Sequence, residues 1–169
     1  MLFRSSRPDR PDPPVSDELE VPLTEDLGLT YEIYVRSYQD TDGDGIGDLP
    51  GVEAHLDHVA SLGVETLWLM PVFSARGRPG YDVTDHWTVR EDYGTVDELD
   101  SLVAAAHDLG MRVLLDLPFN HVSRQHPWFE AAEADPDAPE RALFLFSDTQ
   151  WDTVRWHPAD GGGFYYGVC

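Results

Sequence analysis

The chain predicts an α/β fold built on a parallel sheet, and three observations carry that prediction. Apolar strands and amphipathic helices alternate, strand, helix, strand, helix, strand, between Leu29 and Leu117. Both helices end Leu-Gly directly before an apolar strand. The stretch Met111 to His121, MRVLLDLPFNH, passes from apolar strand to ligand-binding groups within a few residues. Two successive βαβ crossovers, each right-handed, fit either a doubly wound sheet or the opening of a (β/α)8 barrel.

Taken in order, residues 1–28 mix Pro, Asp and Arg without apolar periodicity and predict a disordered lead-in. Thr30 to Val35 alternates β-branched and aromatic residues as a strand does. An acidic, glycine-rich loop runs from Asp40 to Asp48, and Pro50 then sits where a helix's first turn tolerates it. Leu56, Val59 and Leu62 recur at helical spacing from Val52, and Gly63 is placed to stop the helix. Val64 to Met70 is the second strand, with Trp68 expected in the core and Pro71 as its end. A long loop is expected from Val72 to Gly94. Thr95 and Glu98 then read as a capping box for a helix whose apolar stripe is Val96, Leu99, Leu102, Val103, Ala106 and Leu109, ended by Gly110. The run Val113-Leu114-Leu115 suits a parallel strand covered on both faces. Beyond His121 the chain turns irregular and aromatic and offers no fourth strand of the same kind.

At 169 residues the chain has room for one domain with a real core. Thirty-two acidic residues stand against 11 basic ones, all Arg, for a formal net charge of −21. Such a surface repels phosphates, which argues against nucleic acid and anionic membranes and favours cations and neutral ligands. Self-repulsion of this size is screened by salt, so the composition predicts adaptation to high salt, a halophilic trait. Cys169 is the lone cysteine, which excludes an intrachain disulfide and leans toward a reducing compartment. No apolar segment follows Arg4, Arg7 and Arg10, and no run approaches 18 apolar residues. The expectation is a cytoplasmic protein without a membrane span, or a secreted one if the true N-terminus lies upstream.

Two stretches carry chemistry. Asp40, Asp42, Asp44 and Asp48 occupy positions 1, 3, 5 and 9 of one loop, with the backbone carbonyl of Ile46 at 7 and a glycine at 6. Calcium takes six to eight oxygens at about 2.3–2.6 Å, and a tight loop with every second side chain turned inward wraps them around one point. The loop is not an EF-hand, because Gly51 stands at position 12 and a strand precedes it. His55 and His58 are three apart on a helix but lack a third ligand nearby, so they read as surface histidines. The second stretch is Gly80 to His86, in which Tyr81 offers an aromatic face to the apolar side of a sugar while neighbouring carboxylates take hydroxyls.

Tyr31 to Tyr38, the Asp40 to Asp48 loop, Leu62 to Pro71, Gly80 to Asp85, Tyr93-Gly94-Thr95, Asp116 to His121 and His126 to Phe129 together resemble, in order and spacing, the N-terminal part of the alpha-amylase family, glycoside hydrolase family 13. The resemblance runs from about residue 30 to the end. It implies an incomplete (β/α)8 TIM barrel of about three βα units over residues 29–121. Residues 122–169 would then be the truncated start of an irregular domain inserted after the third strand. Substrate-binding residues implied are Tyr81, stacked under the sugar beside the scissile bond, His121, hydrogen-bonded to it, and Asp116. Asp116 and Asn120 would also order the strand end. In many members the residue matching Asn120 ligates a second calcium; in members with an Asp40-type loop that loop is the calcium site, the reading favoured here.

Two departures leave substrate preference open: His86 stands where relatives often have Tyr, and Arg76-Gly77-Arg78-Pro79 replaces residues that often include a sugar-contacting His or Asp. A retaining glycosidase needs two carboxyl groups about 5–5.5 Å apart. The family carries them on its fourth and fifth strands, so none of its catalytic residues is expected in this chain, which should be inactive alone. The expected function is the N-terminal part of an enzyme that hydrolyses or transfers α-glucosidic bonds of starch-like glucans or maltooligosaccharides. The alternative is a noncatalytic, calcium-dependent glucan-binding module.

Overall fold

The computed structural model describes residues 27–167, so the predicted lead-in up to Asp26 lies outside the described residues. In chain order the elements are β1 (Thr30–Ile33), α1 (Leu49–Glu53), α2 (Leu56–Ser61), β2 (Thr66–Leu69), β3 (Phe73–Ala75), β4 (Val83–Val89), α3 (Val96–Asp108), β5 (Arg112–Leu115), α4 (Pro127–Ala134), β6 (Phe146–Ser147), β7 (Trp156–Pro158) and β8 (Phe164–Tyr166). Strands β1, β2 and β5 lie side by side in that order, all parallel, with Ile33, Leu69 and Leu115 in register. Short strands that must all bury one face against helices are satisfied by this arrangement.

The helices end where the sequence predicts. Asp48 caps α1, its Oδ1 accepting from Gly51 N at 2.7 Å, and Pro50 sits in the first turn. Thr95 and Glu98 close the capping box on α3. Gly63 and Gly110 adopt φ of 79° and 77°, the left-handed conformation that turns each chain end back toward the sheet.

The first helix differs from expectation by breaking in two. His55 Nδ1 donates to Gly51 O at 2.9 Å, occupying the carbonyl that the His55 backbone N–H would take in an unbroken helix. That N–H bonds Val52 O instead. A side chain competing with the ladder accounts for the tight turn between α1 and α2.

Ile33, Leu67 and Leu69 meet Leu49, Val52, Leu56, Val59, Leu99, Leu102 and Ala106 in one core between sheet and helices. The opposite sheet face carries Glu32, Trp68 and Leu114 in one row across the three strands. Glu32 is exposed, Trp68 half-buried and Leu114 40% exposed. Trp68 is therefore not a core residue, and the Val113-Leu114-Leu115 strand is covered on one face rather than both: period-2 alternation sends these side chains away from the helices.

Two further expectations are corrected. Between Val72 and Gly94 the chain forms an antiparallel hairpin, β3 with β4, whose pairing shifts between Phe73 and Ser74. Its β-branched residues lie in a β4 stretch dense in polar side chains, which hid the strand. The segment after His121 is not irregular throughout: it holds α4 and a small antiparallel sheet in the order β6-β8-β7. Phe129 of α4 packs edge-on against Phe144 and Tyr165, so the aromatics that obscured periodicity form a satellite core. This second sheet is separate from β1-β2-β5, in keeping with the absence of a predicted fourth parallel strand.

Candidate functional site

At the C-terminal edge of the parallel sheet, Asp116 N donates to Leu69 O at 3.0 Å, which pins the first residue after β5 to β2. Leu115 faces the helices, so alternation turns Asp116 toward the open side. The hairpin β3–β4 brings Tyr81 over this point, and its hydroxyl donates to Asp116 Oδ2 at 2.8 Å. The loop then returns: His121 Nε2 lies 2.9 Å from Tyr81 O. A carbonyl only accepts, so Nε2 is the donor in this bond. Tyr81, Asp116 and His121, separated by up to 40 positions in sequence, are thus one hydrogen-bonded unit.

The Tyr81 phenol is held above the usual tyrosine range, first by its bond to Asp116, then by burial and by the charges of Asp116 and Glu32. It remains a donor at neutral pH, while the residue is 37% exposed. A fixed aromatic face beside a carboxylate and an imidazole suits a polyhydroxylated ring, whose C–H face stacks while its hydroxyls bond the polar rim. Asn120 is exposed, one residue before His121.

In the acidic loop, carboxylate oxygens of Asp40, Asp42 and Asp48 lie within 4.8 Å of one another. Backbone donors hold them there. Asp40 accepts from Gly43 N at 2.7 Å and Gly45 N at 2.9 Å, which draws its carboxyl below the usual range. Asp48 Oδ2 accepts from both N and Oγ1 of Thr41 at 2.8 Å. Burial opposes ionisation of Asp48, but these bonds and that from Gly51 outweigh it, and its carboxyl too sits below the usual range.

Asp44 is not among the three carboxylates that converge. Its Oδ1 accepts from Ile46 N at 2.7 Å, and it lines a cleft with Ser74, Thr84 and Arg90. Ile46 itself is half-buried in the loop. The cluster is a hard-oxygen donor set fit for calcium, with three carboxylates rather than four converging.

His55 and His58 are exposed on the helix pair, as expected of surface residues. Sequence reasoning missed a different histidine pair. His86 on β4 packs against His126, ring centroids 5.4 Å apart, and stacks on Trp128 at 6.2 Å. His126 is buried at the start of α4, and its Nδ1 accepts from Trp128 N at 3.2 Å. Its pKa lies below the ordinary value, because burial and then His86 disfavour the charged ring, with Asp85 opposing. Only the position of His126 before Pro127, a helix-start signal, hinted at this role.

The family profile described as "Alpha amylase, catalytic domain" matches residues 32–164. An alpha-glucosidase of Candida albicans is 40% identical over 140 residues, which is 82% of this chain and 25% of that protein. A 4-alpha-glucanotransferase of Thermotoga neapolitana is 38% identical over 148 residues, 83% of this chain and 34% of that protein. The solved structure of Bacillus licheniformis trehalose-6-phosphate hydrolase superposes with a TM-score of 0.78 at 30% identity, covering 83% of this chain and 28% of that one. The chain spans a quarter to a third of the length of these proteins.

Proposed function

Because this chain belongs to the alpha-amylase catalytic-domain family of glycoside hydrolases, we propose that it is the N-terminal part of a (β/α)8 enzyme that hydrolyses or transfers α-glucosidic bonds. One observation carries the proposal: the closed unit of Tyr81, Asp116 and His121 at the C-terminal mouth of the parallel strands, where barrel enzymes build their sites. Tyr81 stacks under a glucosyl ring, His121 bonds a sugar hydroxyl through the ring edge not held by Tyr81 O, and Asp116 fixes the tyrosine. Asn120 supports the same strand end. Residues from 122 onward begin a domain inserted after the third strand.

Asp116 is not a catalytic acid in this reading. Retaining cleavage needs a nucleophile and a general acid about 5–5.5 Å apart, whereas Asp116 Oδ2 is committed to the Tyr81 hydroxyl. The 169-residue chain is expected to bind maltotriose in calorimetry yet release no reducing sugar from starch or maltooligosaccharides. Robust release would place a catalytic pair inside this chain and overturn the assignment. Binding without release also fits a noncatalytic glucan-binding module, which a companion sequence restoring turnover would exclude.

Calcium is proposed at Asp40, Asp42 and Asp48 with the Ile46 carbonyl, where it would tie the loop to the base of α1. A ligand at 100 times its Kd stabilises the folded state by about 2.7 kcal/mol, so calcium should raise the melting temperature. Asp42→Asn should remove most of that gain with little effect in EDTA. Asp48→Ala should destabilise even in EDTA, by about 1 kcal/mol, because Asp48 also caps α1. Equal melting temperatures with and without calcium in the parent chain would refute the site.

A further inference from the structure

Residues 81–86 and 121–126 run side by side and are tied at three rungs. His121 Nε2 meets Tyr81 O at 2.9 Å, Ser123 N donates to Val83 O at 2.9 Å, and the His126 ring packs on the His86 ring at 5.4 Å. The first rung belongs to the sugar site, and the second is sealed between two buried residues. The third is made of two rings that can each take a proton. His126 caps α4 by accepting from Trp128 N through Nδ1. Both ring nitrogens of His86 are closed to solvent and have no hydrogen-bond partner among the described residues. Trp128 lies against both imidazoles, 6.2 Å from His86 and 4.6 Å from His126.

We propose that His86 and His126 are positioning residues whose neutral pairing holds the sugar site in shape, so that acid loosens the site and weakens its grip on a glucan. This inference rests on the sugar-binding reading above and deepens it by naming what regulates that site. A protonated His126 carries N–H on both nitrogens, so its Nδ1 would aim a donor at the Trp128 N–H and α4 would lose its cap. The new cation would also stand at the positive end of α4. Charge on either ring raises the cost of charge on the other, and His86 has no partner for a second N–H. Asp85 on β4 favours a charged His126, but burial and His86 act against it more strongly. Arg124, beside Ser123, is paired with Glu133. With the third rung open, the sugar has to order both segments as it binds, which costs affinity.

The test titrates the full chain, in saturating calcium, with maltotriose at about pH 7.5 and about pH 5.5, on either side of the ordinary histidine value. Near-ultraviolet circular dichroism checks that the chain is folded at both. The parent should bind roughly tenfold more weakly at the lower pH, a usual size for coupled sites. The double variant His86→Tyr, His126→Asn removes both protonation sites while Asn still caps α4, and its two affinities should agree within about twofold. His121 is left in place, so an equal acid fall in the variant assigns the effect to His121 and overturns the clasp. The parent also gives a readout that needs no variant. Linkage is reciprocal, so maltotriose should move the titration midpoint of the His126 ring resonance to lower pH, which a ring serving only in packing would not show. A midpoint indifferent to maltotriose, or a parent affinity indifferent to pH, overturns the clasp while the sugar site stands. A parent chain that binds no maltotriose at either pH overturns both.

Discussion

The Tyr81 hydroxyl shows how much one atom organises here. By donating to Asp116 it stays protonated, orients its ring and neutralises a carboxylate's demand for a partner. Tyr81→Phe keeps the ring but strands Asp116, so maltotriose affinity should fall only several-fold, whereas Tyr81→Ala should cost tenfold or more; calorimetry on both variants checks the order. The His126 ring makes a separate prediction about pH. Its folded pKa lies below the ordinary histidine value of about 6.5, so between those two values the unfolded chain binds the extra proton. Stability should therefore fall as pH drops below about 6.5, and His126→Gln should flatten that part of a melting-temperature profile. A second loss, below about 3.9, belongs to the depressed carboxyls of Asp40 and Asp48.

At the scale of elements, local signals were reliable wherever a helix end satisfied its own backbone groups. The Thr95 and Glu98 box and the two Leu-Gly stops formed as their residues required, whereas the Asp48 cap falls on a residue read only as a calcium ligand. Thr95→Ala should cost about 1 kcal/mol in denaturant unfolding, and a loss near zero would mean that α3 is held by packing alone. Signals that depend on partners were less legible. The β3–β4 hairpin is set by pairing across a shifted register, and the α1–α2 break by one histidine's bond to a carbonyl. Neither leaves a periodic trace in sequence.

For the whole molecule, charge and open surface dominate. With a net charge of −21, screening should help: the melting temperature should climb from low to molar salt at fixed calcium, and a flat curve would count against adaptation to high salt. The Glu32, Trp68 and Leu114 face, with strand edges on β1 and β5 unpaired among the described residues, is the inner surface of a barrel arc. No described helix is long and apolar enough to cross a membrane.

By itself the sequence determined the alternation of strands and helices, the capping box on α3, the Leu-Gly stops and the residue types at the strand end, because each follows from contacts within a few positions or from hydrophobic period. Tertiary structure alone decided that Trp68 faces away from the core, that Asp44 leaves the carboxylate cluster and that His86 meets His126. It also decided that Tyr81, Asp116 and His121 close into one unit. Those outcomes depend on which face of a strand is covered and which distant segment arrives to cover it, and neither is encoded in local spacing.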